Sequence, residues 1–289
     1  MIVIFNPTAG LRRRQALWHV LDILAAHGLR TELMETQYPG HGETLARDAV
    51  QAGALLVVAA GGDGTIAEVA NGLTGSAVKL GIIPIGTANV LAHELKLPFA
   101  ARHIATALAF GRTQPLWPGI MTGGEETRLF VQMLGVGFDG HVVHGLHPPM
   151  KRLLGRTAYV LQTLSALRSY AFPPITLRID GWETQTGSAI VSKGRFYGGA
   201  YTLAHDADAA LPGFSVSLFD RSGPMMALAY GAALPLGLLD RMPGVRNMRA
   251  REIVFTGNAR IPAQADGDAA GTTPLRITDA AAPISIVVG

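Results

Sequence analysis

Three short loops, rich in glycine and small polar residues, are the parts of the sequence best suited to chemistry. They are Asn6-Pro7-Thr8-Ala9-Gly10, Gly61-Gly62-Asp63-Gly64-Thr65 and Pro84-Ile85-Gly86-Thr87-Ala88-Asn89. Glycine lets a backbone approach a phosphate closely, and the N–H groups at the start of a helix attract negative charge. The carboxylate of Asp63 would repel a phosphate unless a cation or a proton in transit lay between them, so this loop predicts a magnesium-nucleotide site. The alternative is a turn in which Asp63 only caps the following helix.

A repeated strand-helix pattern positions these loops. Apolar strands are predicted at Met1–Phe5, Leu29–Glu35, Ala54–Ala60 and Leu80–Pro84, and helices at Arg12–Ala26, Gly42–Ala52, Ile66–Leu73, Asn89–Leu95 and Ala100–Phe110. The alternation favours a doubly wound α/β domain, in which the carboxyl ends of parallel strands share one edge where ligands bind. Each of the three loops follows a strand, so we expect them to converge there. Neither the lysine of the phosphate-loop motif nor G-x-G-x-x-G is present in them, so those two nucleotide folds are not indicated.

After Gln114 the pattern changes to strands joined by short turns. Strands are predicted at Arg128–Leu134, Ile175–Asp180, Ser188–Ser192, Phe214–Asp220, Glu252–Thr256 and Ile284–Val288, and helices at Thr157–Ser169 and Met225–Leu239. We therefore expect an α/β nucleotide-binding domain over residues 1–115 and a β-rich domain over residues 116–289. The extreme C-terminus could return to the first domain.

The composition narrows the class of protein. The 289 residues are 48% hydrophobic and 16% charged, which argues against a disordered chain. The absence of cysteine excludes disulfides, thiolate zinc sites, iron–sulfur clusters and thiol catalysis. A net charge of +3 without dense Lys/Arg runs predicts no nucleic-acid partner. Residues 1–7 lack the positive start of a signal peptide, and Met225–Leu239 is too short to span a bilayer, so we expect a cytoplasmic protein.

The ordered set of loops resembles the diacylglycerol kinase catalytic-domain family, which includes bacterial soluble lipid kinases and sphingosine kinases. The resemblance covers nearly the whole chain. Its further elements are Ile66 and Glu68 behind the second loop, Gly135-Val136-Gly137-Phe138-Asp139 (family G-x-G-F-D), Lys151, Gly155 and Ala158-Tyr159 (K-x-x-x-G-x-x-A-Y), Gly198-Gly199, and Asp266-Gly267-Asp268 where the family has D-G-E.

The resemblance implies an ATP- and magnesium-dependent kinase that phosphorylates a lipid hydroxyl, with diacylglycerol or a related glycerolipid as the expected acceptor. It also implies an N-terminal domain like that of NAD kinase and a C-terminal β-sandwich-like domain that takes the lipid. The positions that match or flank its nucleotide-contacting residues are Asn6, Thr36, Gly61, Gly62, Asp63, Gly64, Thr65, Gly86, Thr87 and Asn89. The base that accepts the hydroxyl proton is implied to be either Asp268 or Asp63.

Two departures from the family pattern leave alternatives open. Asp268 replaces a glutamate and shortens the reach of the acid by one methylene. The family's Asp-Gly turn, which helps to hold magnesium, is replaced by residues 209–213, so the metal ligands are left unassigned; Asp206 and Asp208 lie just upstream and are expected to be solvated. NAD kinase shares Gly-Gly-Asp-Gly and is one alternative. A catalytically degenerate member that binds lipid or nucleotide is the other.

Other clusters have simpler interpretations. His141, His144 and His147 recur at three-residue spacing, but Pro148-Pro149 would end a helix there, so surface histidines are expected. The run Arg12-Arg13-Arg14 is expected to be a solvated helix start. The apolar stripes of Thr157–Ser169 and Met225–Leu239 have core packing as their simplest interpretation. Because a lipid kinase must accept an acyl chain, part of this apolar surface, with arginines at 241, 246, 249 and 251, is also expected to line a lipid cleft or to contact the inner face of a membrane. A homodimer is a further expectation.

Overall fold

The chain folds into two compact units. A computed structural model describes residues 1–9, 14–124, 126–146, 156–257 and 259–289. The first unit comprises Met1–Trp117 together with Ala281–Gly289, and the second comprises Pro118–Ala280. The C-terminal strand therefore belongs to the first unit.

The first unit is a doubly wound α/β domain. Its elements are β1 (Ile2–Phe5), α1 (Arg14–Ala26), β2 (Glu32–Glu35), α2 (His41–Gln51), β3 (Leu56–Gly61), α3 (Asp63–Leu73), β4 (Lys79–Pro84), α4 (Val90–Glu94), α5 (Ala101–Phe110), β5 (Arg112–Leu116) and β20 (Ile284–Val288). The strand order is β2-β1-β3-β4-β20-β5. All neighbouring strands are parallel except β20 and β5. The central strand β3 is buried from Val57 onwards, as the continuous apolar run predicted.

Glycine sets the close packing of α2 against α3. A Cβ atom on Gly72 would lie 2.4 Å from the carbonyl oxygen of Glu43 and 2.6 Å from the Cβ of Ala46. The backbones of the two helices can therefore approach only because position 72 has no side chain. This approach fixes α3, which starts at Asp63, against the loop that precedes α2.

The second unit is a sandwich of two antiparallel six-stranded sheets. Its strands are β6 (Gly119–Gly123), β7 (Glu126–Phe130), β8 (Met133–Val136), β9 (Ile175–Ile179), β10 (Trp182–Thr186), β11 (Ser188–Ser192), β12 (Phe196–Tyr197), β13 (Tyr201–Thr202), β14 (Phe214–Phe219), β15 (Val245–Ala250), β16 (Ile253–Phe255), β17 (Pro262–Ala265), β18 (Asp268–Thr272) and β19 (Leu275–Asp279). The sheet orders are β10-β9-β16-β19-β6-β7 and β15-β14-β11-β8-β17-β18, and β12 and β13 form a separate hairpin. One apolar cluster, including Leu134, Val191, Val216 and Ile277, forms the core.

Three helices complete this unit: α6 (Phe138–His144), α7 (Arg156–Ser169) and α8 (Pro224–Ala233). The predicted helix Met225–Leu239 ends at Ala233, because Pro235 cannot donate to the helical ladder and Gly237 has φ +66°. A short 3-10 helix follows at Leu239–Arg241. Among the described residues, none of the helices combines the length and apolar character needed to cross a membrane.

One sequence-based strand assignment is wrong. The segment Arg128–Leu134 is not one strand: β7 ends at Phe130 and β8 begins at Met133, in different sheets. The chain breaks there because the carboxylate of Asp266 binds the backbone N–H groups of residues 131–133. The strand Ile284–Val288 lies where the sequence predicts one, and it pairs with β4 and β5 in the first sheet, which is the return to the first domain that the sequence analysis allowed.

Candidate functional site

The structure brings four loops together at the carboxyl edge of the first sheet. The carbonyl oxygen of Gly61 accepts hydrogen bonds from the N–H groups of Ile85 and Gly86, both at 3.1 Å. The N–H of Asn6 donates to Ala60, at 3.0 Å. On the other side of β1, the N–H of Thr36 donates to the carbonyl oxygen of Phe5, at 2.9 Å. The loops after β1, β2, β3 and β4 are thus tied to one another through their backbones.

The centre of this edge is built from glycine backbone. A Cβ atom on Gly86 would lie 2.4 Å from the Cα of Gly62 and 2.8 Å from the Oδ1 of Asn89. A Cβ atom on Gly61 would lie 2.4 Å from the Cβ of Thr65. None of these three distances is sterically possible. Gly86 is therefore required for the two loops to touch, and Gly61 is required for its own loop to pass close to Thr65. Gly64 lies in the first turn of α3, and its N–H belongs to the donors that a helix start presents.

Polar side chains fasten the loops around the glycines. The Nδ2 of Asn6 donates to the Oγ1 of Thr65, at 3.0 Å, and its Oδ1 accepts from the N–H and hydroxyl of Thr8. Asn89, in the left-handed conformation with φ +49°, donates from Nδ2 to the carbonyl oxygen of Gly86, at 2.9 Å. Its Oδ1 is buried and has no hydrogen-bond partner among the described residues, whereas Thr87 is exposed. The side chain of Asn89 therefore retains one unused acceptor.

Asp63 is the first residue of α3, but it caps a different helix. Its Oδ1 accepts the N–H of Leu91, at 3.2 Å, in the first turn of α4. Burial raises the pKa of this carboxyl, and the backbone N–H groups of Leu91 and its neighbours only partly oppose that effect. The alternative, in which Asp63 only caps the following helix, is therefore wrong in its target, since the carboxylate accepts an N–H of α4. A carboxyl group with a raised pKa holds a proton more readily, which suits a proton acceptor.

Glu68 on α3 orders the loop after β2. Its two carboxylate oxygens accept the N–H groups of Gly40, at 2.8 Å, and Gly42, at 3.0 Å. This explains the position of Glu68 about one turn beyond the glycine loop. The loop that contains Thr36 is thereby held against the helix that Asp63 begins.

In the second unit, Asp266 and Gly267 form a hairpin turn between β17 and β18. Ala265 pairs with Asp268 across the turn, and both turn residues have positive φ, +50° and +84°. These are the angles of a two-residue type I′ turn, for which Asp-Gly is a favoured sequence. The dipeptide was a signal for this hairpin that the sequence analysis missed.

Asp266 in the turn and Asp268, the residue that begins β18, have different surroundings. The carboxylate of Asp266 accepts the N–H groups of Val131, Gln132 and Met133, at 2.7 to 3.0 Å. Burial raises the pKa of Asp266 to about 6, against the lowering effect of these donors. Asp268 instead is 44% exposed at its side chain and lies 3.6 Å from the guanidinium of Arg128. Asp266 is therefore the structural acid, and Asp268 is the accessible one.

A buried side-chain network supports the turn from below. Asp139 accepts the hydroxyl of Tyr197 and the amide Nε2 of Gln264, the latter at 2.7 Å. The Oε1 of Gln264 accepts the N–H of Gly267, at 2.8 Å. The carbonyl oxygen of Gly267 in turn accepts the hydroxyl of Tyr159, at 3.3 Å. Burial raises the pKa of Asp139, and burial beside this carboxyl raises the pKa of Tyr197 well above its ordinary value.

Gly135 leaves space for this network. A Cβ atom at position 135 would lie 1.9 Å from the Oδ2 of Asp139, so the first glycine of G-x-G-F-D makes room for the aspartate. Tyr197 and Gln264 were missed by the sequence analysis. The only local signal was a glutamine at an inward position of an otherwise apolar strand, Pro262–Ala265, which implies a buried amide with a partner.

The turn at residues 209–213 does not fit a magnesium ion. The ammonium of Lys193, fully buried, donates to the carbonyl oxygens of Leu211, at 3.2 Å, and Gly213, at 2.8 Å, and to Asp279, at 2.8 Å. The lysine thus holds the oxygen atoms that a cation would need. Upstream, Asp206 accepts the hydroxyl of Ser215 and Asp208 accepts the N–H of Ala210. Within the described ranges, no cluster of three or more His, Asp or Glu residues could hold a metal.

The remaining sequence candidates have separate positions. His141 faces the hydroxyl of Ser169, at 3.1 Å, and His144 faces the carbonyl oxygen of Ala263, at 2.8 Å, so the two rings do not converge. Gly198 and Gly199, both with positive φ, connect β12 to β13. The candidates that lie outside the described residues are Gly10, Arg12, Arg13, His147, Lys151 and Gly155.

Two family models match the chain in succession. Residues 1–119 match the diacylglycerol kinase catalytic domain, and residues 132–288 match the YegS C-terminal NAD kinase beta sandwich-like domain. A protein of Bacillus subtilis (strain 168) named "Putative lipid kinase YtlR" is 28% identical over 306 residues, covering 98% of this chain and 97% of that protein. The diacylglycerol kinase of the same strain is 31% identical over 183 residues, covering 62% of this chain and 59% of that protein.

Solved structures share the fold. A crystal structure described as "a putative diacylglycerol kinase from Bacillus anthracis str. Sterne" aligns over 100% of this chain and 94% of that chain, with a TM-score of 0.81 and 20% identity. A further structure of a diacylglycerol kinase from the same strain gives a TM-score of 0.72 at 17% identity, covering 100% of this chain and 96% of that chain. At these identities the likeness concerns the fold alone.

Proposed function

Because the chain belongs to the family of lipid kinases with a diacylglycerol kinase catalytic domain and a YegS-type C-terminal domain, we propose that it transfers the γ-phosphoryl group of MgATP to a lipid hydroxyl. Diacylglycerol or a related glycerolipid is the proposed acceptor. The observation that carries the proposal is the contact between the two glycine loops at Gly62 and Gly86, with Asp63 beside it. The names of the relatives favour this activity over that of an NAD kinase.

The glycine loops suit the phosphates of a nucleotide. Gly61, Gly62 and Gly64 carry no side chain that would keep an anion away from the N–H groups at the start of α3. Asn6 and Thr65 hold each other, so the loop after β1 is ordered before a ligand arrives. Preorganised N–H donors of this kind stabilise the charge that spreads over a transferred phosphoryl group.

The reaction needs one proton acceptor. The hydroxyl oxygen of the lipid forms a bond to the γ-phosphorus, the bond from that phosphorus to the β,γ-bridging oxygen breaks, and ADP leaves. The hydroxyl proton passes to a carboxylate, for which we propose Asp63 or Asp268. The pKa of Asp63 is raised by burial, which favours proton uptake, whereas Asp268 is accessible to solvent. When bound, MgATP supplies both the phosphoryl group and the cation that neutralises it.

A lipid panel tests this proposal. Purified protein is incubated with labelled ATP, magnesium and single lipids, and products are identified by mass spectrometry; we expect label in a glycerolipid. Asp63→Asn should lower the rate roughly 100-fold or more because it removes a group that acts on the reacting atoms. Asp48→Asn, on the exposed face of α2, is the matched control and should retain activity. Labelling of NAD, or of a soluble sugar or nucleoside in preference to every lipid, would contradict the lipid acceptor.

A second candidate function, binding of lipid or nucleotide without transfer, is favoured by two observations. Arg128 lies beside Asp268, and Lys193 holds the oxygen atoms of the 209–213 turn. Asp268→Glu separates the candidates because it restores the longer acid of the family pattern. A wild-type protein that binds ATP but phosphorylates no lipid, combined with a large gain of transfer in Asp268→Glu, would support the degenerate alternative.

The lipid acceptor also favours peripheral contact with a membrane. Residues 222–239 contain no charged residue, and Met225, Leu228 and Leu236 of this segment are 78%, 49% and 69% exposed. An exposed segment that is apolar along its whole length, here α8 and the turn after it, is suited to the interface of a bilayer. Of the predicted arginines, Arg246 is paired with Asp220 and Arg249 binds the carbonyl oxygens of Asp206 and Pro212, so these two have protein partners.

Vesicle co-sedimentation tests this contact. Leu236→Gln should weaken binding to phosphatidylglycerol vesicles, whereas Leu55→Gln, 84% exposed in the first unit, should not. A dimer detected by light scattering that dissociates in Leu236→Gln, with no vesicle binding, would assign the segment to a homodimer instead.

A further inference from the structure

Tyr38 and His41 form an exposed stack of aromatic rings in the loop after β2. The turn Tyr38-Pro39-Gly40-His41 has proline second and glycine third, with Gly40 at φ +85° and ψ −9°. The N–H of His41 donates to the carbonyl oxygen of Tyr38, at 3.1 Å. These are the features of a type II turn, which places its first and fourth residues side by side. The two rings accordingly stack, with centroids 4.5 Å apart and planes 14° apart.

Three hydrogen bonds hold this stack from behind. The N–H of Gln37 donates to the Nδ1 of His41, at 3.1 Å, which fixes the orientation of the imidazole. Glu68 binds the N–H groups of Gly40 and Gly42 and so anchors the turn to α3. Tyr38 is nevertheless 57% exposed. Its ring is therefore supported on one side by His41 and is open to solvent elsewhere, although the turn beneath it is rigid.

The stack lies on the same edge as the glycine loops. Strand β2 is the neighbour of β1 in the sheet. The N–H of Thr36, just after β2, donates a hydrogen bond to the carbonyl oxygen of Phe5, the residue before Asn6. Glu68, which anchors the turn, sits on the helix that begins at Asp63. A ligand with phosphates at the glycine loops and a flat ring at its other end could reach Tyr38 along this edge.

We propose that the ring of Tyr38, backed by His41, is the platform on which the base of the nucleotide stacks. The inference rests on the proposed function, since it assumes a nucleoside triphosphate at the glycine loops. Stacking on an aromatic ring tolerates any base, because every base has a π face, and the larger purines offer more contact area. The platform therefore selects purine over pyrimidine nucleotides and distinguishes adenine from guanine only weakly.

The test compares a ligand that contains a nucleobase, MgATP, with one that has only the phosphates, magnesium tripolyphosphate. Dissociation constants of MgATP and of magnesium tripolyphosphate are measured by calorimetry for wild type, Tyr38→Ala and Tyr38→Phe. We expect Tyr38→Ala to weaken MgATP roughly tenfold and leave tripolyphosphate unchanged, because only the base is lost. Tyr38→Phe keeps the ring and should bind as wild type does. Phe110→Ala, a 72% exposed aromatic residue of α5 that contacts His27, is the control and should change neither constant.

Two outcomes would overturn the platform. One is a Tyr38→Ala protein that binds MgATP within twofold of wild type. The other is an equal loss of MgATP and tripolyphosphate, which would mean that Tyr38 only maintains the loop. Failure of the proposed function gives a different result, in which wild-type protein binds neither ligand. MgCTP bound as tightly as MgATP would contradict the preference for purines.

Discussion

The glycine loops of the first unit and the Asp266 turn of the second are constructed in opposite ways. In the first, two backbones touch because Gly62 and Gly86 have no side chains. In the second, the turn is held by side chains from distant parts of the chain, namely Asp139, Tyr197 and Gln264. The first arrangement depends on missing side chains in two neighbouring loops of one sheet edge, whereas the second depends on hydrogen-bond partners up to 135 residues apart, as Val131 and Asp266 are.

This difference determines how each region should respond to substitution. Adding one methyl group to a glycine at the loop contact should abolish ligand binding. The methyl group would clash with backbone atoms, which cannot rotate away as a flexible side chain can. Removing one partner from the buried network should lower stability in graded steps, since each remaining hydrogen bond persists. The following substitutions test that contrast.

Gly86→Ala should have the largest effect. Its Cβ would lie 2.4 Å from the Cα of Gly62, so the two loops must separate. A displacement of this kind costs roughly 100-fold in a positioned site, and we expect at least that loss for both MgATP and tripolyphosphate by calorimetry. Gly231→Ala on α8, where nothing lies within 4 Å, is the matched control and should bind normally. Binding by Gly86→Ala within threefold of wild type would show that the loops do not need their contact.

The same contrast explains what the sequence could predict. The α/β and β-rich division, the family and the glycine loops follow from local patterns, and the family models and the shared fold confirm the predicted family and fold class. The roles of Asp63 and Asp268 remain predictions. The network of Asp139, Tyr197 and Gln264 could not be predicted, because no local pattern links residues that meet only after folding.

Missed strands have a related cause. β10, β15 and β18 lie at sheet edges and are rich in polar residues, so their apolar periodicity is weak. The break between β7 and β8 was missed because it is imposed by the carboxylate of Asp266, which is more than 130 residues away in sequence. Hydrophobic patterning detects which residues are buried. It does not detect polar edge strands or the break between β7 and β8, because these are determined by hydrogen bonding.

Lys193→Met should give the next largest effect, on stability. The substitution leaves Asp279 and two carbonyl oxygens facing an apolar side chain, and breaking a buried pair costs about 3–5 kcal/mol. Urea unfolding measures the loss. Arg276→Met, which removes the exposed pair with Glu252, is the control and should cost about 1 kcal/mol or less.

The contacts of Lys193 also predict how removal of magnesium affects the Tm. Because its ammonium binds the oxygen atoms of the 209–213 turn, wild-type protein without nucleotide should have the same Tm in EDTA as in magnesium. A rise in Tm with magnesium that disappears in Asp279→Asn would instead place a metal ion in this turn.

Asp266 should make stability depend on pH in an unusual direction. Its pKa rises from 3.8 in the unfolded chain to about 6 in the fold, so the folded state holds the proton more tightly. The resulting stabilisation is fully present below pH 3.8 and is lost as pH rises through 6, by about 3 kcal/mol. Relative to Asp266→Asn, wild-type protein should therefore become less stable between pH 4 and pH 7 in urea unfolding. A difference that stays constant or grows with pH would contradict the assigned pKa.

Tyr197→Phe should have the smallest effect, confined to the second unit. Loss of the hydroxyl removes one donor to Asp139 and leaves Gln264, and a hydrogen bond to a carboxylate contributes about 1.5–3 kcal/mol. The pKa of Asp139 should rise further, since the Tyr197 bond lowers it. If the network positions the turn, the transfer rate should fall several-fold while the KM for ATP is unchanged. Tyr201→Phe, on the paired strand and 43% exposed, is the control. Loss of ATP binding in Tyr197→Phe, at unchanged stability, would contradict this contrast, in which the glycine loops bind the nucleotide and the buried network only positions the Asp266 turn.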